Sequence, residues 1–166
     1  MWSWVLWTIV SLVALVLSVA LALVLTMRTK HPRALVVVRG FNRRLNNPRA
    51  LRRAGRPGAE LSVLRHVGRS SGKPYETPIG VYPLEEGYLV NLSYGQETDW
   101  LRNIRAAGTA ELVVDGQSHQ VSAARVIGLT EATPHLFPRH TFLVRLLGVT
   151  EFLVLQRVPV TSSDGR

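Results

Sequence analysis

The stretch Leu61-Ser62-Val63-Leu64-Arg65-His66-Val67-Gly68-Arg69-Ser70-Ser71-Gly72-Lys73-Pro74-Tyr75-Glu76-Thr77-Pro78 decides how most of the chain is read. Leu61, Val63 and Val67 fall on the two-residue period of a half-buried strand. Gly68 to Pro74 is a turn rich in Gly and Ser, residues that accept or stabilise tight backbone geometry. Further strands follow at residues 77–82 and 88–92, separated by Leu84-Glu85-Glu86-Gly87. Residues 99–107 read as a helix that Thr98 or Asp99 can cap and Gly108 stops. Strands at residues 111–114 and 117–127 flank Asp115-Gly116, a strong hairpin signal. Residues 130–147 read as a helix broken by Pro134 and Pro138, and residues 152–158 as a closing strand. Six or so short strands with one inserted helix predict a mainly β fold, a small antiparallel barrel with helices outside it.

Upstream of this domain the chain changes character. From Met1 to Met27 there is no Asp, Glu, Lys, Arg or His. About 20 apolar residues suffice to cross a hydrocarbon core of ~30 Å, so residues 1–27 predict a transmembrane anchor. Ser and Thr in the run can bond back to helix carbonyls without breaking it. Trp2, Trp4 and Trp7 cluster at one end, where indoles favour the membrane interface. Arg28, Lys30, His31 and Arg33 follow the other end, which predicts an N-terminus outside and a C-terminal domain on the cytoplasmic side. A cleaved signal peptide is the competing reading, with Ala20-Leu21-Ala22 as its cleavage site. The absent basic leader and the long apolar run oppose it.

The formal charge of +9 is unevenly placed. Ten of the 20 Lys and Arg lie between Arg28 and Arg56, a stretch with no acid, whereas all eleven acids lie beyond it. That arrangement predicts a juxtamembrane belt against anionic lipid headgroups rather than a nucleic-acid surface on the folded domain. Within residues 28–58, residues 34–45 carry Leu35, Val38, Phe41 or Asn42, and Leu45 at helical spacing, with Arg39, Arg43 and Arg44 between them. An amphipathic helix lying on the membrane or capping the domain is expected, ended by Pro48. Gly55-Arg56-Pro57-Gly58 reads as a linker, residues 59–160 as the folded domain, and 161–166 as a disordered tail. The chain has no cysteine, which excludes disulfides, thiolate metal sites and a Cys nucleophile.

Two loops hold the candidate chemistry. Gly68-Arg69-Ser70-Ser71-Gly72-Lys73 combines mobile glycine backbone, hydroxyls and two cations, a pattern suited to phosphate or carboxylate. An ordinary hairpin turn would have the same composition. Ser93-Tyr94-Gly95-Gln96 sits after a strand and before the Trp100 helix.

Both blocks resemble one family. Gly68-Arg69-Ser70-Ser71-Gly72-Lys73-Pro74-Tyr75-Glu76-Thr77-Pro78, then Ser93-Tyr94-Gly95-Gln96-Glu97-Thr98-Asp99-Trp100, Arg102-Asn103 and Ala106-Ala107-Gly108 are similar in order and spacing to the deazaflavin-dependent nitroreductases. The resemblance spans residues 61–127. It implies a split β-barrel of FMN-binding type and coenzyme F-420 as cofactor, with FMN as the alternative. It implies Arg69, Ser71, Gly72 and Lys73 as contacts of the anionic tail, and Thr77 and Pro78 as further cofactor-binding residues. It places Ser93, Tyr94 and Gly95 against the deazaflavin ring, supported by Trp100 and Asn103. Ser70 and Tyr75 depart from the family, whose well-studied members carry basic residues there; Lys73 offsets one of them. His140, Phe137 and Phe142 stand in the general region of the family's substrate pocket. The activity implied is hydride transfer to a lipophilic quinone, or to a nitro compound. No catalytic residue and no metal ligand is assigned, and three alternatives stay open: an FMN protein, a cofactor carrier without turnover, and a non-catalytic membrane-surface module.

Overall fold

A computed structural model describes residues 2–158. Helix α1 runs Ser3–Thr29, a length of about 40 Å at 1.5 Å per residue. Among the described residues it is the one helix long and apolar enough to cross a membrane, and none of its residues is buried against the rest of the chain. Thr8 and Ser18 donate to the carbonyls of Trp4 and Ala14, four residues back, so the hydroxyls are satisfied within the helix.

The basic segment then continues as helix: α2 Pro32–Phe41, a π turn over Asn42–Asn46, and α3 Asn47–Leu51. Pro48 does not end it. It sits in the first turn of α3, where its missing N–H is tolerated, and the widened π turn before it spares the clash with a preceding carbonyl. The segment expected as a linker is held by hydrogen bonds to the hairpin at Asp115-Gly116. Gly116 N–H donates to the Gly55 carbonyl at 2.7 Å, and Gly58 N–H donates to Asp115 Oδ1 at 2.6 Å.

The sheet has seven antiparallel strands: β1 Ser62–Val67, β2 Pro74–Ile79, β3 Val81–Leu84, β4 Gly87–Asn91, β5 Ala110–Val114, β6 Gln117–Gly128 and β7 Glu151–Arg157. Their order is β2-β1-β5-β6-β7-β4-β3. The segment expected as one strand at 77–82 is two strands broken at Gly80, and these form the opposite edges of the sheet. Edge positions explain why Pro74, Pro78 and Pro83 are accepted there, since an edge strand need not donate on both sides. Where a small antiparallel barrel is expected, the strands form an open sheet: no ladder joins β2 to β3 among the described residues. Six inter-strand steps would separate the edges of a flat sheet by about 29 Å. One residue, Gly80, links them, so the sheet must roll until the edges meet at that corner.

Asp115 and Gly116 take φ values of 50° and 80°, the left-handed pair that a two-residue hairpin demands. Helix α4, Asp99–Ala107, starts after Thr98 in extended conformation and ends at Gly108, φ 82°. It packs Leu101 and Ile104 onto Leu64, Leu112, Val121, Leu153 and Leu155. Helices α5 (Leu129–Ala132) and α6 (Pro138–Leu146), joined through a 3-10 turn at Thr133–His135, cover a second core around Leu89 and Phe152. Alternate residues of β4 and β7 therefore feed cores on both faces. Each fully buried Leu contributes about 1.5–3 kcal/mol, and this rigid centre holds α4 and the two candidate loops.

Candidate functional site

The first loop joins β1 to β2 and is closed by Gly68 N–H to the Lys73 carbonyl (2.9 Å) and Gly72 N–H to the Gly68 carbonyl (2.8 Å). A side chain at Gly68 would displace its neighbours: a Cβ there would stand 2.4 Å from Ser71 Oγ and 2.7 Å from Tyr75 Cε2. Tyr75, one of the departures from the family pattern, stacks on His66 with ring centroids 5.9 Å apart.

Beneath the loop lies a buried polar chain. Asn103 Oδ1 accepts from the Arg69 backbone N–H and from its guanidinium, both at 3.1 Å. With its oxygen so engaged, the Asn103 amide nitrogen is the atom facing His66 Nδ1, at 3.0 Å. His66 Nδ1 is thereby the acceptor, and Nε2–H donates to Thr77 Oγ1 at 3.0 Å. Arg69 also pairs with Asp99 at 3.2 Å.

Burial pushes the His66 pKa below its ordinary 6.5, partly opposed by the Asp99 charge. Above 6.5 the ring is neutral in folded and unfolded chains, and the network contributes in full. As pH falls below that value the unfolded chain takes up a proton that the buried ring resists, so stability drops until the lower folded-state value is passed. Thermal unfolding from about pH 7.5 to about pH 5 should show this slope, and His66→Gln should flatten it.

The second loop follows β4. Gly95, φ 74°, turns it, with Gly95 N–H donating to the Leu92 carbonyl at 2.8 Å. The basic segment holds it from outside: Lys30 Nζ donates to the Ser93 carbonyl at 2.6 Å, and Arg39 donates to the Tyr94 carbonyl at 2.5 Å and the Glu97 carbonyl at 3.5 Å. Asn42 Nδ2 donates to the Tyr94 hydroxyl. Burial pushes the Tyr94 pKa up, so the phenol keeps its proton near neutrality.

Between the loops, α4 and the basic helix lies a cleft of about 670 Å³. Arg69, Ser71, Thr77, Pro78, Ser93, Tyr94, Trp100 and Asn103 line it, as does Ser70. Gly72, Lys73 and Gly95 do not: Gly72 and Lys73 lie exposed at the outer end of the first turn, and Gly95 shapes the second from behind. Residues absent from the sequence-based set are Arg39, Asn42, Arg43 and Asn46, which wall the cleft, and His66. Their spacing of three, one and three residues is a helix face that could have been read as a polar stripe. The unbroken basic run drew attention to lipid instead.

Three cations of the expected belt are instead engaged by the protein. Arg28, Lys30 and Arg39 bond to carbonyls of the folded domain. Phe137 and His140 stack around Tyr82, and Phe142 is exposed; none of the three reaches the cleft.

The cleft carries two buried polar atoms without a partner, Arg39 Nε and Thr98 Oγ1, both on lining residues. Unsatisfied donors at a cavity wall point to a polar ligand. Arg39 and Arg43 suit an anionic one, and Trp100, Tyr94, Ile79 and Val90 supply apolar and aromatic surface for a flat ring.

A family model described as F-420H(2)-dependent quinone reductase matches residues 37–143. The match begins inside α2 and ends inside α6, and so includes the helical wall of the cleft. A solved structure described as F-420 Reductase shares 13% identity over 64% of this chain and 91% of its own, with a TM-score of 0.43. Another, described as F-420-H2 Dependent Reductase (FDR-A), shares 17% over 57% and 93%, with a TM-score of 0.42. No curated protein matches the chain. By the extent of the family match, this chain is a member of the F-420H(2)-dependent quinone reductases, a family of oxidoreductase enzymes whose cofactor is coenzyme F-420.

Proposed function

We propose that the chain is a membrane-anchored oxidoreductase that passes a hydride from reduced coenzyme F-420 to a lipophilic acceptor, a quinone in the first place and nitro compounds incidentally. The observation that carries this is the wall of the cleft. It is built from the helix that directly follows the apolar α1, so the reaction space and the anchor are one continuous piece of chain.

In this reading residues 1–27 span the membrane with the N-terminus outside. Residues 28–58 form a basic collar and cleft wall, and residues 59–160 form the cofactor domain on the cytoplasmic side. Arg69, Ser71 and Arg43 hold the anionic tail, with Lys73 and Gly72 at the outer rim. Thr77, Pro78, Ser93 and Tyr94 would border the ring, with Gly95 shaping the second loop behind them and Trp100 and Asn103 supporting it. The bound deazaflavin supplies the hydride chemistry. The chain's own residues position the reactants and exclude water, and Tyr94 keeps a phenolic proton at the cleft wall. A site at the bilayer surface meets isoprenoid quinones at high effective concentration.

The test is oxidation of reduced coenzyme F-420 by the full chain in phosphatidylcholine vesicles containing a menaquinone analogue. Absorbance of the oxidised coenzyme should appear only when chain and quinone are both present. Binding without oxidation would make the chain a carrier and overturn the proposal.

A further inference from the structure

The helix α2 is amphipathic in the reverse sense of a soluble protein. Its Arg39, with Asn42 and Arg43 of the π turn that continues it, turns inward to the cleft. Val36, Val37 and Phe41 turn outward, 65%, 71% and 55% exposed. Of the apolar face expected at Leu35, Val38, Phe41 or Asn42, and Leu45, Leu35 is buried on the protein side and Phe41 is exposed. Helix α6 behaves similarly: Val144 packs inward, while Phe142, Leu143 and Leu146 face away from the core, 68%, 50% and 38% exposed. Contiguous apolar surface of this kind marks a face that contacts a protein or a membrane.

The placement of α6 identifies what that is. Arg28, in the last turn of α1, donates from Nη1 to the carbonyls of Arg145 and Leu146 at 3.3 Å and 3.2 Å. Gly148 packs so closely on the same turn that a Cβ would stand 3.2 Å from Arg28 Cα. The C-terminal end of α6 is thus fixed to the last turn of α1, and α2 leaves that same turn after two residues. If α1 crosses the bilayer, both outward faces stand at the level where it emerges. Arg33 lies on α2 and Arg139 and Arg145 on α6, cations carried by the same two helices that anionic headgroups complement.

We propose that the outer faces of α2 and α6 form one lipid-binding surface, bedding the domain in the membrane interface on both sides of α1. The proposal rests on the reading of α1 as a membrane span. It makes one wall of the cleft a helix whose other side lies in lipid, which gives a membrane-dissolved acceptor a short route inward.

The chain has no cysteine, so single cysteines report cleanly. Val37→Cys, Phe142→Cys, Leu12→Cys and Thr109→Cys full-length chains would each carry an environment-sensitive nitrobenzoxadiazole label. They would be reconstituted in vesicles of phosphatidylcholine and phosphatidylglycerol with and without spin-labelled lipid. Labels at 37 and 142 should be quenched about threefold or more beyond the label at 109, as befits faces buried at the headgroup–acyl boundary. If 37 and 142 match 109 while 12 is quenched, α1 spans but the surface proposal is wrong. If 12 also escapes quenching, the reading of α1 fails and the surface proposal falls with it.

Discussion

Asn103→Leu should lower the stability of the chain by about 3 kcal/mol and weaken coenzyme F-420 binding by more than tenfold. Asn103 is 4% exposed and holds three groups at once: the Arg69 amide, the Arg69 guanidinium and the His66 ring. Leucine fills much the same volume but offers no polar atom. His66 Nδ1 is then left buried without a donor, and Arg69 loses the anchor that fixes the first loop. An unpaired buried group costs about 1–3 kcal/mol, more when a charge is involved. Asn103→Asp separates the two halves of the network. It keeps an acceptor for Arg69 but removes the donor to His66, and its negative charge should raise the His66 pKa. Binding should suffer less than in Asn103→Leu, and the pH dependence of unfolding should change more. Thermal unfolding and fluorescence titration of the coenzyme read the two effects separately.

Arg39→Ala should have the second-largest effect, and on function more than on folding. Its guanidinium joins the cleft wall to the second loop through the carbonyls of Tyr94 and Glu97. Hydrogen bonds to a charged donor contribute about 1.5–3 kcal/mol. Without them α2 is free to move away from Tyr94, and Asn42 no longer meets its hydroxyl. Coenzyme affinity should fall about tenfold, and the KM for a quinone should rise as the wall loosens. Arg33→Ala, on the same helix with no domain contact among the described hydrogen bonds, should shift stability by less than about 0.5 kcal/mol. Equal effects of the two substitutions would show that charge alone, not the Arg39 contacts, matters.

Much of the fold was legible because its signals are local. Asp115-Gly116 needs positive φ at two adjacent residues, and few sequences offer that. Asp99–Ala107 is bounded by Thr98 and Gly108, and the structure starts and stops it there. The sheet's open edge was not legible. Whether β2 and β3 pair or merely meet at Gly80 depends on sheet curvature, a property of all seven strands together. The same holds for Pro48, whose tolerance depends on a π turn that no residue in Asn42–Asn46 announces. The expected tail at residues 161–166 lies outside the described residues.

The site divides along the same line. The loop residues from Arg69 to Pro78 and from Ser93 to Asn103 are compact blocks, and most of them line one cleft. Arg39, Asn42, Arg43 and Asn46 approach it from a segment that ends well upstream of β1, through tertiary contacts alone. Their charge was conspicuous in the sequence, but charge has no direction until a helix face is assigned a neighbour. His66 was hidden for the opposite reason. It occupies an ordinary inward position in β1, and only its partners Asn103 and Thr77 distinguish it from a packed core residue.

Coenzyme F-420 is expected to bind in this cleft. Fluorescence titration of the purified full-length chain in detergent micelles with the coenzyme tests it most directly. Saturable binding in the micromolar range or tighter is predicted, at one site per chain, weakened by Asn103→Leu and Arg39→Ala and unaffected by Arg33→Ala. No saturable binding at micromolar coenzyme, or a copurifying FMN that the coenzyme cannot displace, would contradict it.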